Sequence, residues 1–270
     1  MFIPPRFHKS ILSHAISVAA FPKYPLLLAV QGRPGDGKSY QTRESLRAGG
    51  FVVFALSAAM LGGSHEGDSV QGVRDLYGRA RAYREAPNSR GYPALLLEDF
   101  DLSPANQRAN SRYTVNSQLL VGFLMNLADD ISMCDVGTTD RYPIFLTGND
   151  FSSMHGPLMR PGRSNIFTWE PNADERSQVV FTMLQPYIPQ LSMNEAAKLS
   201  NKYSAAPLAA YSAALNDCLA SHAYDYASKY RVYDVNAIRR AFRAPKFGLE
   251  EYEAALKLRH DESAKPRRFL

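Results

Sequence analysis

Apolar residues along the chain gather into short runs of Leu, Val, Ile and Phe: "PLLLAV" at 25–30, "FVVFAL" at 51–56, "PALLLE" at 93–98, "PIFLTG" at 143–148 and "NIFTWE" at 165–170. None alternates strictly between apolar and polar positions, which is the pattern of strands buried on both faces. Between the runs lie segments with helical spacing, clearest at 68–86 ("DSVQGVRDLYGRARAYREA") and 111–130 ("SRYTVNSQLLVGFLMNLADD"). This alternation predicts a parallel sheet covered by helices. After Pro171 the strand-like runs stop and only helical patterns remain, among them the Ala-rich "PLAAYSAALNDCLASHAYDYASKY". The expected organisation is therefore an α/β domain over 1–171 and a helical domain over 172–270. No internal repeat or low-complexity linker interrupts them.

Composition narrows the classes. A chain of 270 residues that is 45% hydrophobic can bury one large core and a smaller one. The formal charge of +5 would suit an acidic partner, but the basic residues read as scattered, with only the tail "KPRRFL" dense in them. Cys134 and Cys218 stand far apart without metal-ligand spacing, so neither a zinc site nor a disulfide framework is indicated, and a reducing cytoplasm is the expected location. The N-terminal "MFIPPRFHKSILSHAISVAAFPKYP" is broken by His14, Pro22 and Lys23 and reads as a structured arm, not a signal peptide. "FVVFALSAAMLGG" is too short to span a bilayer, so no membrane role is expected.

The first apolar run leads into Gly32-Arg33-Pro34-Gly35-Asp36-Gly37-Lys38-Ser39 and then a helical segment. That is the phosphate-binding loop pattern in its required context of strand, loop and helix. Glycines let the backbone curl so that successive N–H groups and the helix N-terminus face phosphate oxygens. Lys38 then neutralises the β and γ oxygens, and the Ser39 hydroxyl joins the Mg²⁺ shell. Hydrolysis of ATP further needs a carboxylate at a neighbouring strand end, and "LLLEDFD" supplies Glu98, Asp99 and Asp101. The usual order in such enzymes is Asp then Glu. Here the pair reads Glu98-Asp99, so the division of roles stays open. A further strand end, "FLTGND", carries Asn149 and Asp150, which fit either a contact to the γ-phosphate or attacking water, or an Asx turn.

Several segments together resemble the AAA+ ATPases, and within them the Rubisco activases of plants and green algae: "GKSYQ", "YTVNSQLL" leading to "LMNLADD", "PIFLTGNDFSSMHGPLMRPGR" and "FTWEPNADER". The likeness runs from about Lys23 to Glu175 and resumes near Lys229. It implies a P-loop NTPase sheet of order 5-1-4-3-2, a C-terminal helical lid, and a homo-oligomeric ring, six subunits in the family, with nucleotide between neighbours. It extends the nucleotide-contacting set to Tyr40, puts Asn149 at the sensor position on the fourth strand, and puts Arg160 and Arg163 of "LMRPGR" where arginine fingers reach a neighbour's nucleotide. Asp99 becomes the chief carboxylate, with Glu98 uncertain. In the lid, "KYRVYD" implies Arg231 as the phosphate contact, with Lys229 second.

The departures are as informative. The segment "SAAMLGGSHEGDS" (57–69) aligns with the activases' central pore loop but is apolar where theirs is acidic, so a different protein client is expected, gripped through Met60 and Leu61. The chain is expected to lack the separate N-terminal domain of the plant activases, and Rubisco is not the expected client. The function that follows is Mg-ATP-driven remodelling of a protein client. The alternative is an ATP-dependent nucleic-acid factor of the helicase-loader or transposition-helper type, for which the tail residues Lys265, Arg267 and Arg268 leave room.

Overall fold

The computed structural model describes residues 2–61, 65, 67–103, 115–152, 154 and 156–264. The five apolar runs form one parallel sheet: β1 (Leu27–Gly32), β2 (Phe51–Ser57), β3 (Tyr92–Glu98), β4 (Ile144–Thr147) and β5 (Ser164–Trp169). Their order is β2-β3-β4-β1-β5, the expected order read from the other edge. Leu27 aligns with Ile144 on one side and with Ser164 on the other, so β1 is central and buried. The connection after β1 crosses one face of the sheet and those after β2 and β3 cross the other, and in open α/β sheets such a switch point leaves a crevice at the strand C-termini.

The period of two sorts each central strand between two cores. Leu27, Ala29, Leu95, Leu97, Ile144 and Leu146 face helices α3 (Asp68–Glu85) and α4 (Val115–Asp129), and pack with Val73, Leu76, Tyr77, Leu120 and Leu124. Leu28, Val30, Ala94, Leu96 and Phe145 face the opposite way, against α1 (Pro5–Ala20) and α2 (Lys38–Ala48). Continuous apolar strands are thus explained by helices on both faces. The N-terminal arm is α1: proline opens its first turn, and Phe7, Ile11, His14, Ala15 and Val18 recur at helical spacing as its buried stripe. A single turn, α5 (Gly156–Met159), precedes β5.

The chain divides into two compact units, Ile3–Glu170 and Pro171 onward. The second contains α6 (Ala173–Leu184), α7 (Met193–Lys202), α8 (Leu208–Tyr230), α9 (Val235–Ala241) and α10 (Leu249–Ala264). Asn172 with Glu175 and Ser192 with Glu195 form capping boxes that start α6 and α7. Val180, Leu199, Tyr211, Leu215, Tyr252 and Leu256 build this unit's own core. Its buried tyrosines find acceptors, the Tyr252 hydroxyl donating to the Tyr211 carbonyl at 2.8 Å and the Tyr211 hydroxyl to the Tyr203 carbonyl at 3.2 Å. Helix α9 buries no residue.

One expectation changes here. Leu61 is fully buried in the α/β core, while Met60 is 70% exposed, so only Met60 is available to touch a client. Leu61 turns inward because the short helical turn Ala58–Leu61 packs on α3, where the Ser69 hydroxyl donates to the Leu61 carbonyl. The rest of that loop, 62–64 and 66, lies outside the described residues, as does the basic tail with Lys265, Arg267 and Arg268.

Candidate active site

The loop between β1 and α2 sits at the switch point. Gly32 ends β1 with φ +149°, and a Cβ there would meet the Trp169 carbonyl at 2.2 Å, so only glycine lets the two strand ends approach this closely. Gly37 caps α2 in the left-handed conformation, turning the chain directly into the helix. Arg33, Pro34 and Gly35 are exposed at the loop's crest, whereas Asp36 is 3% exposed and anchors it. Tyr40 stands exposed on the first turn of α2.

Lys38 lies inside the loop. Its ammonium donates to the Gly32 carbonyl at 2.8 Å, the Arg33 carbonyl at 2.9 Å and the Asn149 Oδ1 at 3.1 Å, which uses all three of its protons. Burial pushes its pKa below the ordinary lysine value, and the negative charges of Asp101, Asp36 and Asp99 oppose that shift. A buried cation held charged by surrounding carboxylates is poised for a polyanion. Beside it the Ser39 hydroxyl is 2.7 Å from the Thr147 hydroxyl at the end of β4.

The acidic cluster after β3 divides three ways. Glu98 accepts from the Arg43 guanidinium of α2 at 2.7 Å, so its charge is balanced by an ion pair. Asp99 is exposed and adopts the left-handed conformation at φ 54°, ψ 39°, which Asp tolerates better than most residues. That turn starts the short helix Phe100–Leu102 and returns Asp101 to the end of β4, where its Oδ2 accepts from the Asn149 N–H at 2.8 Å. At Gly148 a Cβ would meet the Asp101 Oδ1 at 2.8 Å, so the glycine leaves that carboxylate its place. Asn149 therefore joins the loop lysine to the β3 carboxylate.

In "GND" the Asx turn is made by the second residue of the pair. Asp150 Oδ1 accepts from the Ser152 N–H at 2.7 Å and makes the Asx turn, while Asn149 faces Lys38. Of the two arginines after α5, Arg160 is exposed. Arg163 is only 8% exposed; its Nε donates to Asp129 Oδ1 and its Nη2 to Asp129 Oδ2, while its Nη1 donates to the Pro157 carbonyl at 2.8 Å. This bidentate pair ties the end of α4 to α5. It holds the Asp129 carboxyl below its ordinary pKa, chiefly by hydrogen bonding. Arg231 is exposed and left-handed at the C-cap of α8, in the helical unit.

A match to the family model for the ATPase family associated with various cellular activities (AAA) covers residues 28–172, from β1 to the N-cap of α6. The chain belongs to the AAA family. Among curated proteins, this AAA chain is similar to the ribulose bisphosphate carboxylase/oxygenase activase of Nostoc sp., with 33% identity over 190 residues, 66% of this chain and 45% of that protein. It is likewise similar to the chloroplastic activases of Solanum pennellii, at 32% over 184 residues (65% of this chain, 39% of the relative), and of Zea mays, at 32% over 163 residues (57% and 36%). The chain therefore spans less than half the length of these relatives.

Magnesium fits the donor set. Among the described residues no group of three or more His, Cys, Asp or Glu could hold a metal unaided. Mg²⁺ is ordinarily held by one or two protein oxygens together with substrate phosphates, and a hydroxyl and a strand-end carboxylate beside a buried ammonium meet that need. Arg43, Asp101 and Thr147 complete the local network, and the sequence pattern alone gave Arg43 and Thr147 no role. Asp101 stood among the acidic candidates, but its partnership with Asn149 depends on a contact 48 residues away.

Proposed function

We propose that this AAA chain binds and hydrolyses Mg-ATP, assembles as a ring of six copies and uses the cycle to rearrange a protein client. The link from buried Lys38 through Asn149 to Asp101 carries the reading, because it joins the loop that takes phosphate to the strand end that positions water. Lys38 has only to exchange its two carbonyl partners for phosphate oxygens, and the backbone from Gly32 through Gly37 to Ser39 and Tyr40 borders the nucleotide. Bound Mg²⁺ supplies neutralisation of charge on the phosphate oxygens. Ser39 and Asp99 are its protein ligands, and Asp99 orients the attacking water, with Glu98 beside it. Asn149 senses the γ-phosphate, while Asp101 holds Asn149 in place.

Arg160 is the finger that reaches a neighbouring copy's nucleotide, where a planar, permanent cation stabilises charge on the transferring group. Arg163, paired with Asp129, shapes the turn that presents Arg160. Arg231 contacts phosphate from the helical unit. A cytoplasmic location accords with two free, buried cysteines, and no helix among the described residues is long and apolar enough to cross a membrane.

The test is subunit mixing. Arg160→Ala and Asp99→Asn proteins are each inactive alone, yet a mixed ring contains interfaces where an intact Asp99 meets an intact Arg160. Activity returns on mixing if the finger acts in trans. A folded Arg160→Ala protein that keeps full turnover alone would remove Arg160 from the reaction.

One feature favours the second reading, a nucleic-acid factor. The charge is less scattered than the overall pattern implies: Lys229, Arg231, Arg239, Arg240, Arg243 and Lys246 fall within 18 residues that contain one acid, Asp234. Among the described residues none of the six makes an ion pair. Binding to single-stranded DNA that weakens steeply with added salt would support that reading, because released counterions set the slope.

A further inference from the structure

Trp169, the only tryptophan of the chain, is fully buried at the end of β5, where it aligns with Gly32 at the end of β1. Its indole N–H donates to the Asp36 carbonyl at 3.0 Å. Indole is a donor only, and a buried donor left unpaired is costly, so this bond holds both partners in place. The same carbonyl accepts from the Gln41 side chain at 3.3 Å. Two side chains, one from the neighbouring strand β5 and one from α2, thus fix one carbonyl in the loop between Gly35 and Gly37.

Peptide planarity carries the consequence. The chain has no cis peptide bond among the described residues, and in a planar trans peptide the carbonyl of one residue and the N–H of the next point in opposite directions. An Asp36 carbonyl directed at the indole therefore directs the Gly37 N–H away from it. The ring itself is walled by α1: Phe7 meets it edge-on at 4.9 Å, and the Arg6 guanidinium lies 5.0 Å from its centroid while donating to the Glu170 carbonyl at 2.7 Å.

We propose that Trp169 is a positioning residue of the phosphate loop: its indole N–H sets the Asp36–Gly37 peptide so that the Gly37 N–H is presented to phosphate. The proposal rests on the nucleotide-site reading above. Trp169→Phe keeps an aromatic ring and removes the donor, whereas Phe7→Leu loosens the same packing and leaves the donor. Three quantities are compared in both variants: the backbone order parameter at Gly37 by NMR in nucleotide-free protein, Mg-ATP affinity by calorimetry, and melting temperature.

In Trp169→Phe the Gly37 order parameter should fall from about 0.85 to below about 0.6 and Mg-ATP affinity should fall about tenfold, the scale of one lost buried hydrogen bond. In Phe7→Leu the order parameter should stay near about 0.85 and the affinity within about twofold of wild type even where the melting temperature falls as far, because the bond survives. Equal effects in the two variants, or no change in Trp169→Phe, would overturn the proposal. If Trp169→Phe does not fold, the wild type decides: tryptophan emission must shift as Mg-ATP saturates the site, and unchanged emission at calorimetric saturation counts against the indole. A wild type that binds no Mg-ATP defeats the nucleotide reading alone, and the Gly37 order parameter still tests the clamp.

Discussion

The loop after β1 and the end of α8 were both expected to meet phosphate, and they are built in opposite ways. At the loop the cation is buried: Lys38 is 7% exposed and bound to three acceptors, with Asn149 and Asp101 behind it. At the end of α8, Arg231 is exposed at a helix cap, beside α9, which buries nothing. A site fixed by packing is organised before its ligand arrives and loses little entropy on binding. An exposed arginine must be ordered by what it binds, so its contribution is smaller and depends on that ligand.

That contrast is sharpest under substitution of the cations themselves. Lys38→Ala removes a buried charge from the centre of the loop network, and Mg-ATP affinity should fall by more than about a hundredfold, the order expected for a lost charge-assisted contact in a desolvated site. Calorimetry checks it, with circular dichroism to confirm folding. Retained affinity would mean that the loop is only a tight turn.

Acid should distinguish the two units next. His14 on α1 is 2% exposed, with one ring nitrogen 3.3 Å from the Leu26 carbonyl and its ring edge-on to Tyr24 and Phe145. Burial lowers its pKa from 6.5 to about 4, aided by the charge of Arg141 and opposed by the Leu26 hydrogen bond. The unfolded chain takes up the proton near 6.5 and the folded one only near 4. The neutral ring's contribution is therefore complete above pH 6.5 and is lost as pH falls toward 4, amounting to roughly 3 kcal/mol. In the helical unit His222 and His260 are both partly exposed. Melting followed by exchange at α1 should show the α/β unit loosening first between pH 6.5 and 4, and His14→Phe should flatten that dependence.

The smallest effect is expected at the exposed cation. Arg231→Ala should weaken ATP binding about three- to tenfold more than ADP binding, because a single exposed contact to the γ-phosphate contributes little. Equal ATP and ADP affinities, unchanged by the substitution, would take Arg231 out of the site.

What was legible in the chain follows the same division. The five strands and the loop could be read because their signals are local: an apolar run, glycines at fixed spacing, and a lysine and serine at the helix start. Features that depend on distant partners could not. Glu98 is paired with Arg43, 55 residues away, and Arg163 with Asp129, 34 residues away, and neither motif carries a sign of its partner. Leu61 looked free to grip a client until α3 covered it. Asn149 and Asp150 shared one motif and separated only when β4 brought the first beside Lys38.

The central claim, that the loop and the β3 strand end form one hydrolytic site, is tested most directly by comparing phosphate release and Mg-ATP binding in wild type and Asp99→Asn. The variant should bind Mg-ATP within about threefold of wild type, since the amide still hydrogen-bonds, and release no phosphate, since it no longer orients water as a carboxylate does. Wild-type turnover in a folded Asp99→Asn protein would contradict it.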